Sequence, residues 1–225
     1  MCGRYTLSDP GDLVTELGVE VQGDLGLEPR YNIAPTQSVP AVRQRAEDGA
    51  RELWLFHWGL IPYWAKEASI GNRMINARSE TAAEKPSFRN AFKRRRCLIL
   101  TDGFYEWVKM GKGKQPHHIH FEGRRPFVFA GLWEYWSKGP EGPIESCTIL
   151  TTEANETIQP LHHRMPVILD REHWDLWLDP TVSEREVLQP LLKPYAEGAL
   201  RYEPVSKLVN NPRNDVPQCL DPVAF

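Results

Sequence analysis

Five segments of the chain read as β-strands: ELWLFHWGL (52–60), CLILTDGFYEWV (97–108), HHIHF (117–121), PFVFAGLWEYW (126–136) and SCTILTT (146–152). They are rich in β-branched and aromatic side chains and bounded by Gly and Pro, which suits a pleated, half-buried surface. They mostly follow one another instead of alternating with helices. That order predicts an antiparallel or mixed sheet that curls or closes like a barrel, with helices packed outside, so the expected class is α+β. FEGRRP (121–126) reads as a hairpin turn. Helix signals stand at Ser8, placed to cap a helix through Asp9–Leu17 that tolerates Pro10 in its first turn, and in KPSFRNAFKRR, where Phe88, Ala91 and Phe92 recur at helical spacing. Asp170 is placed to cap a helix whose inward face holds Trp174, Trp177 and Leu178, and Ser183 with Glu186 has the spacing of a capping box. The Asn- and Pro-rich last residues read as extended or looped.

With 225 residues, 41% hydrophobic and 25% charged, the chain can bury a sizeable core. No Gly/Ser linker or low-complexity tract divides it, so a single domain over residues 1–225 is expected. There is no charged region followed by an apolar run at the N-terminus, and no stretch approaches the ~20 apolar residues that span a bilayer. The expectation is a soluble, intracellular protein. Cys2, Cys97, Cys147 and Cys219 show no CxxC spacing and are too sparse for a disulfide framework, which fits a reducing compartment. A net charge of −3 gives no global pull toward nucleic acid. RNAFKRRRC concentrates Arg89, Lys93, Arg94, Arg95 and Arg96 locally, and a solvated helix end accounts for such a run as well as an anion site does. His118 and His120 share a strand face at a spacing that could ligate zinc, but no acidic or cysteine partner stands at helpful spacing, so neither metal nor cofactor is assigned.

Cys2 is the residue with unusual chemistry. Once Met1 is removed, it carries an amine and a thiol on adjacent carbons. An α-amine titrates near ~7.7–8.0 and a lysine near ~10.4, so only the former is substantially neutral at physiological pH. A neutral amine attacks an aldehyde to give a Schiff base, and the neighbouring thiol can close on the imine carbon to form a five-membered thiazolidine. Covalent capture of an aldehyde is therefore possible from this one residue.

MCGRY (1–5), YNIAPTQ (31–37), WGLIPYW (58–64), MINARSET (74–81), DGFYEW (102–107), FAGLWE (129–134) and LHHRMPVIL (161–169) occur in that order. Together they resemble the SOS-response-associated peptidase (SRAP) family, the abasic-site processing proteins, with weaker similarity in VSKLVNNPRN. The resemblance implies a curved, barrel-like α+β domain that binds single-stranded DNA and crosslinks Cys2 to the ring-opened aldehyde of an abasic site. It also implies a self-processing step that exposes Cys2, and possible lyase activity at the lesion. Carried over residue by residue, the catalytic set is Cys2, Asn76, Glu106 and His162, and the DNA-binding set is Arg4, Asn32, Pro35, Trp64, Arg78, Thr151 and Arg164. Where family members often have a second tryptophan after Trp64, this chain has Ala65, which suggests a smaller stacking wedge.

The residue chemistry is compatible with those roles. Asn76 and Arg78 lie two apart and share a side if that stretch is extended; Arg4 stands in the same relation to Cys2, and a guanidinium can hold phosphate bidentately. Glu106 has apolar neighbours that predict partial burial, a raised pKa and proton exchange near neutrality. His162 precedes Arg164 by the family's spacing and would act as acid at the sugar oxygen. Trp64 would stack beside the missing base.

The partner implied is single-stranded DNA containing abasic sites, bound by a monomer with no membrane association. The compartment would be the bacterial cytoplasm beside the nucleoid, or a eukaryotic nucleus. A different class, an N-terminal-nucleophile cysteine peptidase or amidase acting without DNA, uses the same Cys2, Asn76, Glu106 and His162. A noncatalytic single-strand-binding module is the third reading.

Overall fold

The computed structural model describes residues 2–19, 27–45 and 47–223. Among them the strands are β1 (Tyr5–Leu7), β2 (Arg30–Ile33), β3 (Ser38–Gln44), β4 (Arg51–Trp58), β5 (Asn76–Arg78), β6 (Arg96–Thr101), β7 (Gly103–Met110), β8 (Gly113–Phe121), β9 (Phe127–Trp136), β10 (Ile144–Glu153), β11 (Arg164–Pro166) and β12 (Leu200–Pro204). The helices are short: α1 (Leu13–Glu16), α2 (Ser79–Ala82), α3 (Arg89–Arg94), α4 (Trp174–Leu178) and α5 (Arg185–Leu188).

The architecture is α+β, with a curved, barrel-like mixed sheet. β10, β4, β3, β6 and β9 pair in that order, and β9 pairs back to β10, so five strands close a ring. All ring pairings are antiparallel except β4 with β10. Past the ring, the C-terminal half of β10 carries β5 in parallel and β11 antiparallel. A second sheet, ordered β12-β8-β7-β1-β2, is antiparallel. Its β1, β7 and β8 share one apolar core with the ring: Tyr5 meets Trp58 and Phe129 edge to face, and Phe104 meets Phe129 likewise.

Several local expectations meet a different outcome. CLILTDGFYEWV is two strands, because Asp102 interrupts it and sends β6 into the ring and β7 into the second sheet. FEGRRP turns the chain through Gly123, at φ +70°, but makes no hairpin, since β8 and β9 lie in different sheets. Ser8 does not cap α1, which begins only after Asp12; its hydroxyl and amide both bond the Asp102 carboxylate. The box at Ser183 and Glu186 does not form, because Glu184 is the residue before α5 and receives the Ser183 N–H at 2.9 Å. Asp170 accepts the Tyr195 hydroxyl at 2.6 Å and caps nothing, yet α4 buries Trp174, Trp177 and Leu178 as its pattern requires.

The fold takes up two of the five residues of the basic run. Arg96 is buried, and its guanidinium donates to the carbonyls of Phe92, Lys93, Trp177, Asp179 and Val182, closing the C-terminal ends of α3 and α4. Arg95 pairs with Glu134. Arg89, Lys93 and Arg94 remain toward solvent.

Candidate active site

Cys2 is fully buried although it sits beside the start of the chain. It precedes β1, which is held on one side by β7 and on the other by β2, and the backbone ladder continues past the strand through Tyr105 N–H to Arg4 O at 3.0 Å. The Asn76 amide donates to the Cys2 carbonyl at 2.7 Å. Asn76 itself is placed by β5, registered against Ile149 of β10, while its Oδ1 has no hydrogen-bond partner among the described residues. The Cys2 thiol lies 3.8 Å from Arg4 O. Burial, reinforced by the Glu106 carboxylate, pushes its pKa far above the ordinary thiol value, so at neutral pH it is a thiol and not a thiolate.

Glu106 stands on β7, one residue past the ladder contact with Arg4, and is 5% exposed. Burial raises its pKa above the ordinary carboxyl range, as its apolar neighbours predict. A carboxyl with a raised pKa beside a buried thiol can give and take a proton.

His162 lies in the connection between β10 and β11. Its Nδ1 accepts the Arg164 N–H at 2.9 Å, which places the ring proton on Nε2. Its ring stacks on His163 at 4.3 Å. Burial lowers its pKa, so the neutral ring with an Nε2–H donor dominates at neutral pH.

Of the residues expected to meet DNA, Trp64 and Arg78 face solvent, Trp64 at 43% exposure. Trp64 is presented by a loop whose base is fixed where Gly59 and Gly71 pack backbone to backbone; a Cβ on Gly59 would come within 2.8 Å of Gly71 O. A groove of about 400 Å³ runs beside it, lined by Lys66, Glu67, Ser69, Ile70 and Arg73. Ala65 is buried against Ile61 and Trp136, with its carbonyl accepting the Trp136 indole N–H at 2.9 Å, so it does not extend the Trp64 surface. Pro35 is half-buried in the turn between β2 and β3.

The other four are committed to the protein in this conformation. Asn32 and Thr151 are fully buried. Arg164 makes a two-pronged bond to Glu80 at 2.7 and 2.9 Å and donates to Thr151 O at 2.6 Å. Arg4 donates to Asn32 Oδ1 at 2.6 Å and Val209 O at 2.7 Å. Asn32, Thr151 and Arg164 are buried, and Arg4 is half-buried. Glu80, Trp107 and residues 209–214 fall within the motifs MINARSET, DGFYEW and VSKLVNNPRN, but the sequence reading gave none of them an individual role.

His118 and His120, at a zinc-compatible spacing in the sequence, are engaged otherwise: His118 is buried with Nε2 3.0 Å from the Thr6 hydroxyl, and stacks on His120.

Fold and site together define a class: barrel-like proteins that present a cysteine at the second residue to an asparagine amide and a buried carboxyl. The chain belongs to the family described as SOS response associated peptidase (SRAP), whose family model matches residues 1–212. It is 43% identical to abasic site processing protein YoaM of Bacillus subtilis, over 98% of each chain. It is 41% identical to YoqW of the same organism, named likewise, over 98% of this chain and 99% of that one. Against the abasic site processing protein HMCES of Gallus gallus, identity is 38% over 87% of this chain and 66% of the relative. A crystal structure of a protein from Bacteroides thetaiotaomicron superposes with a TM-score of 0.86 at 26% identity, covering 99% of this chain and all of that one.

Proposed function

We propose that this chain processes abasic sites in single-stranded DNA by forming a covalent thiazolidine through Cys2 after removal of Met1. The observation that carries the reading is the Asn76 amide holding the Cys2 carbonyl at 2.7 Å with the buried Glu106 beside it, in a family whose curated relatives are named for abasic-site processing.

Abasic deoxyribose is in equilibrium with an open aldehyde. His162, with its proton on Nε2, gives the sugar ring oxygen a donor as the ring opens. The Cys2 amine then adds to the aldehyde carbon; its oxygen leaves as water after protonation by Glu106, and an imine remains. The thiol, kept protonated by burial, adds next: an S–C bond forms, the C=N pair moves to nitrogen, and the thiol proton passes to nitrogen through Glu106. The spare Asn76 Oδ1 is an acceptor for the amine or sugar. Trp64 and Arg78 supply the exposed stacking face and cation for the flanking strand. Because an imine acidifies the neighbouring carbon, the same intermediate permits β-elimination, the lyase reaction; the self-processing step would expose the same amine. The site is complete within one chain, consistent with a monomer, and no described helix is long and apolar enough to cross a membrane.

The test is to mix purified protein with an abasic oligonucleotide and run a denaturing gel. A heat-stable shifted band that depends on Cys2 is the expected result. Amide turnover without nucleic acid, and no band, would favour the N-terminal-nucleophile hydrolase instead.

A further inference from the structure

Ladders to β2 and β7 fix Tyr5 onward, but beyond the Tyr105 N–H to Arg4 O bond Cys2–Arg4 lies outside β1 and needs further restraints. One is Asn76. The other is a clasp that reaches to the far end of the chain. Asn32 uses both ends of its amide: Oδ1 accepts from Arg4 at 2.6 Å, and Nδ2 donates toward Asn214 O at 2.6 Å, Asn211 O at 3.0 Å and Val209 O at 3.3 Å. Arg4 also donates to Val209 O at 2.7 Å and lies over the Trp107 ring at 5.7 Å. Trp107 donates its indole N–H to Asn210 Oδ1 at 2.7 Å. Asp215 Oδ1 accepts the backbone N–H groups of Tyr31 and Asn32 at 2.5 and 2.9 Å.

Cys219 Sγ, from the C-terminal side, donates to Asn214 O at 3.2 Å; the other side-chain anchors named here come from β2, from β7 or from the stub that carries Cys2. Two of them adjoin the reacting groups directly: Arg4 is two residues from Cys2, and Trp107 follows Glu106. A clasp with a purely architectural purpose has no reason to converge on those two positions. We propose that the 209–215 loop is a working part of the site, and that Arg4 and Asn32 are positioning residues which, through it, hold Cys2 in line with Asn76 and Glu106. The proposal rests on the reading of Cys2 as the nucleophile.

It separates rate from affinity. Losing the clasp displaces Cys2 but touches no strand-facing group, and a displacement of about 1 Å costs on the order of 10² in rate. Arg4→Met and Asn32→Leu, which keep side-chain bulk, are therefore expected to slow single-turnover adduct formation on an abasic oligonucleotide about 10²-fold. Their affinity for an oligonucleotide carrying the tetrahydrofuran analogue, which has no aldehyde, and its salt dependence should be unchanged. Arg4→Lys should recover part of the rate by donating one of the two bonds. Asn210→Ala, at an exposed position, should slow the reaction less and leave affinity alone. A weaker affinity for the analogue with the salt slope flattened by about 0.7 in Arg4→Met would make Arg4 a phosphate ligand and overturn the proposal. So would an unchanged rate in folded Asn32→Leu, or, if that variant does not fold, an unchanged rate in Asn210→Ala. If the unmodified protein forms no adduct, the functional reading fails, and the clasp is then judged by iodoacetamide labelling of Cys2 mapped by mass: faster labelling in the clasp variants supports it, and equal labelling overturns it.

Discussion

Two polar clusters lie at opposite ends of the paired strands β1 and β7, and they are built in opposite ways. At one end Asp102 collects the Thr6 and Ser8 hydroxyls and the N–H groups of Ser8 and Asp9, while the Thr6 hydroxyl lies 3.0 Å from His118 Nε2. That carboxylate is saturated with donors. At the other end Cys2 has a thiol with one long contact, Asn76 has an amide oxygen without a partner among the described residues, and Glu106 is pushed by burial toward its neutral form. A saturated carboxylate stabilises a fold, although His118 Nδ1 beside it has no partner among the described residues; a buried cluster with a spare amide oxygen and a shifted carboxyl is where chemistry can occur. The first cluster joins β1 to the switch between the two sheets at Asp102; the second is where a substrate would be held.

The comparison breaks most decisively at Cys2. Cys2→Ser is expected to keep a reversible imine that borohydride traps, but to lose the stable adduct altogether, because ring closure needs sulfur; residues added before Cys2 abolish both. Thr6→Val, in the closed cluster, should form adduct at the unmodified rate per folded molecule. A stable adduct from Cys2→Ala would move the nucleophile elsewhere and erase the distinction.

Glu106→Gln comes next. It keeps shape and removes the proton carrier, so adduct formation and its reversal should both slow by ~10² to 10⁴ while binding to the tetrahydrofuran oligonucleotide persists. The variant also has a pH signature. A carboxyl whose folded pKa is raised binds more protons folded than unfolded, so its contribution to stability is present below the ordinary value and is lost as pH rises through the folded one. Urea midpoints across pH should therefore decline less steeply above the ordinary carboxyl range in Glu106→Gln than in the unmodified protein. Parallel curves would mean that Glu106 is as ordinary as an exposed carboxyl.

The closed cluster gives the opposite sign. Thr6→Val leaves Asp102 and His118 each short of a partner, a loss of about 1–3 kcal/mol for a buried group so stranded. At roughly 2–4 °C per kcal/mol for a chain of this size, a thermal melt resolves it. His118 is fully buried and its pKa lies well below the ordinary value, owing first to burial and then to His120 and Arg124. Below about 6.5 the unfolded chain takes up a proton there that the folded chain does not, so stability falls as pH is lowered. His118→Gln, which can still hydrogen-bond to Thr6, should shift acid unfolding to lower pH. An unchanged acid midpoint would remove His118 from the account.

The contrast between the clusters also shows what the sequence could disclose. Strands β4 and β6–β10 were legible because side-chain type records burial, β6 being buried throughout with no polar residue in CLIL; β1, β2, β3, β5, β11 and β12 were not read. The break at Asp102 was not legible, because what splits the strand is a carboxylate drawing donors from Ser8 and Asp9, 94 and 93 residues away in the chain. Ser8 was misread for the same reason, its hydroxyl being taken by a distant partner and not by a local helix. β3 carries Pro40, which argues against an inner strand, but β6 is registered only against Ala41 and Val42 and leaves Pro40 outside that ladder. In the site, Cys2, Asn76, Glu106 and His162 were named from motif order. For Arg4, Asn32 and Arg164, expected to meet DNA, the motifs did not disclose the partners inside the protein, Val209 O, Asn214 O and Glu80, because those lie far away in the chain.

The smallest expected effect tests the two depressed histidines against each other. His118 is enclosed and neutral for the sake of the fold; His162 is also held neutral by burial, but it is only half-buried and keeps its proton on Nε2 through the Arg164 N–H. If that proton serves the sugar ring oxygen, His162→Ala should slow crosslinking to the cyclic abasic sugar by about 10-fold, less than the ~10² to 10⁴ usual for general acid catalysis because the ring also opens unaided. A linear aldehyde needs no ring opening and should react at nearly the unmodified rate. His163→Ala removes the stacked neighbour at 4.3 Å but leaves the Nδ1 anchor, so both substrates should react much as before. Equal slowing of both substrates by His162→Ala would give His162 a supporting role like that of His118, and a slow His163→Ala would transfer the acid to the exposed ring beside it.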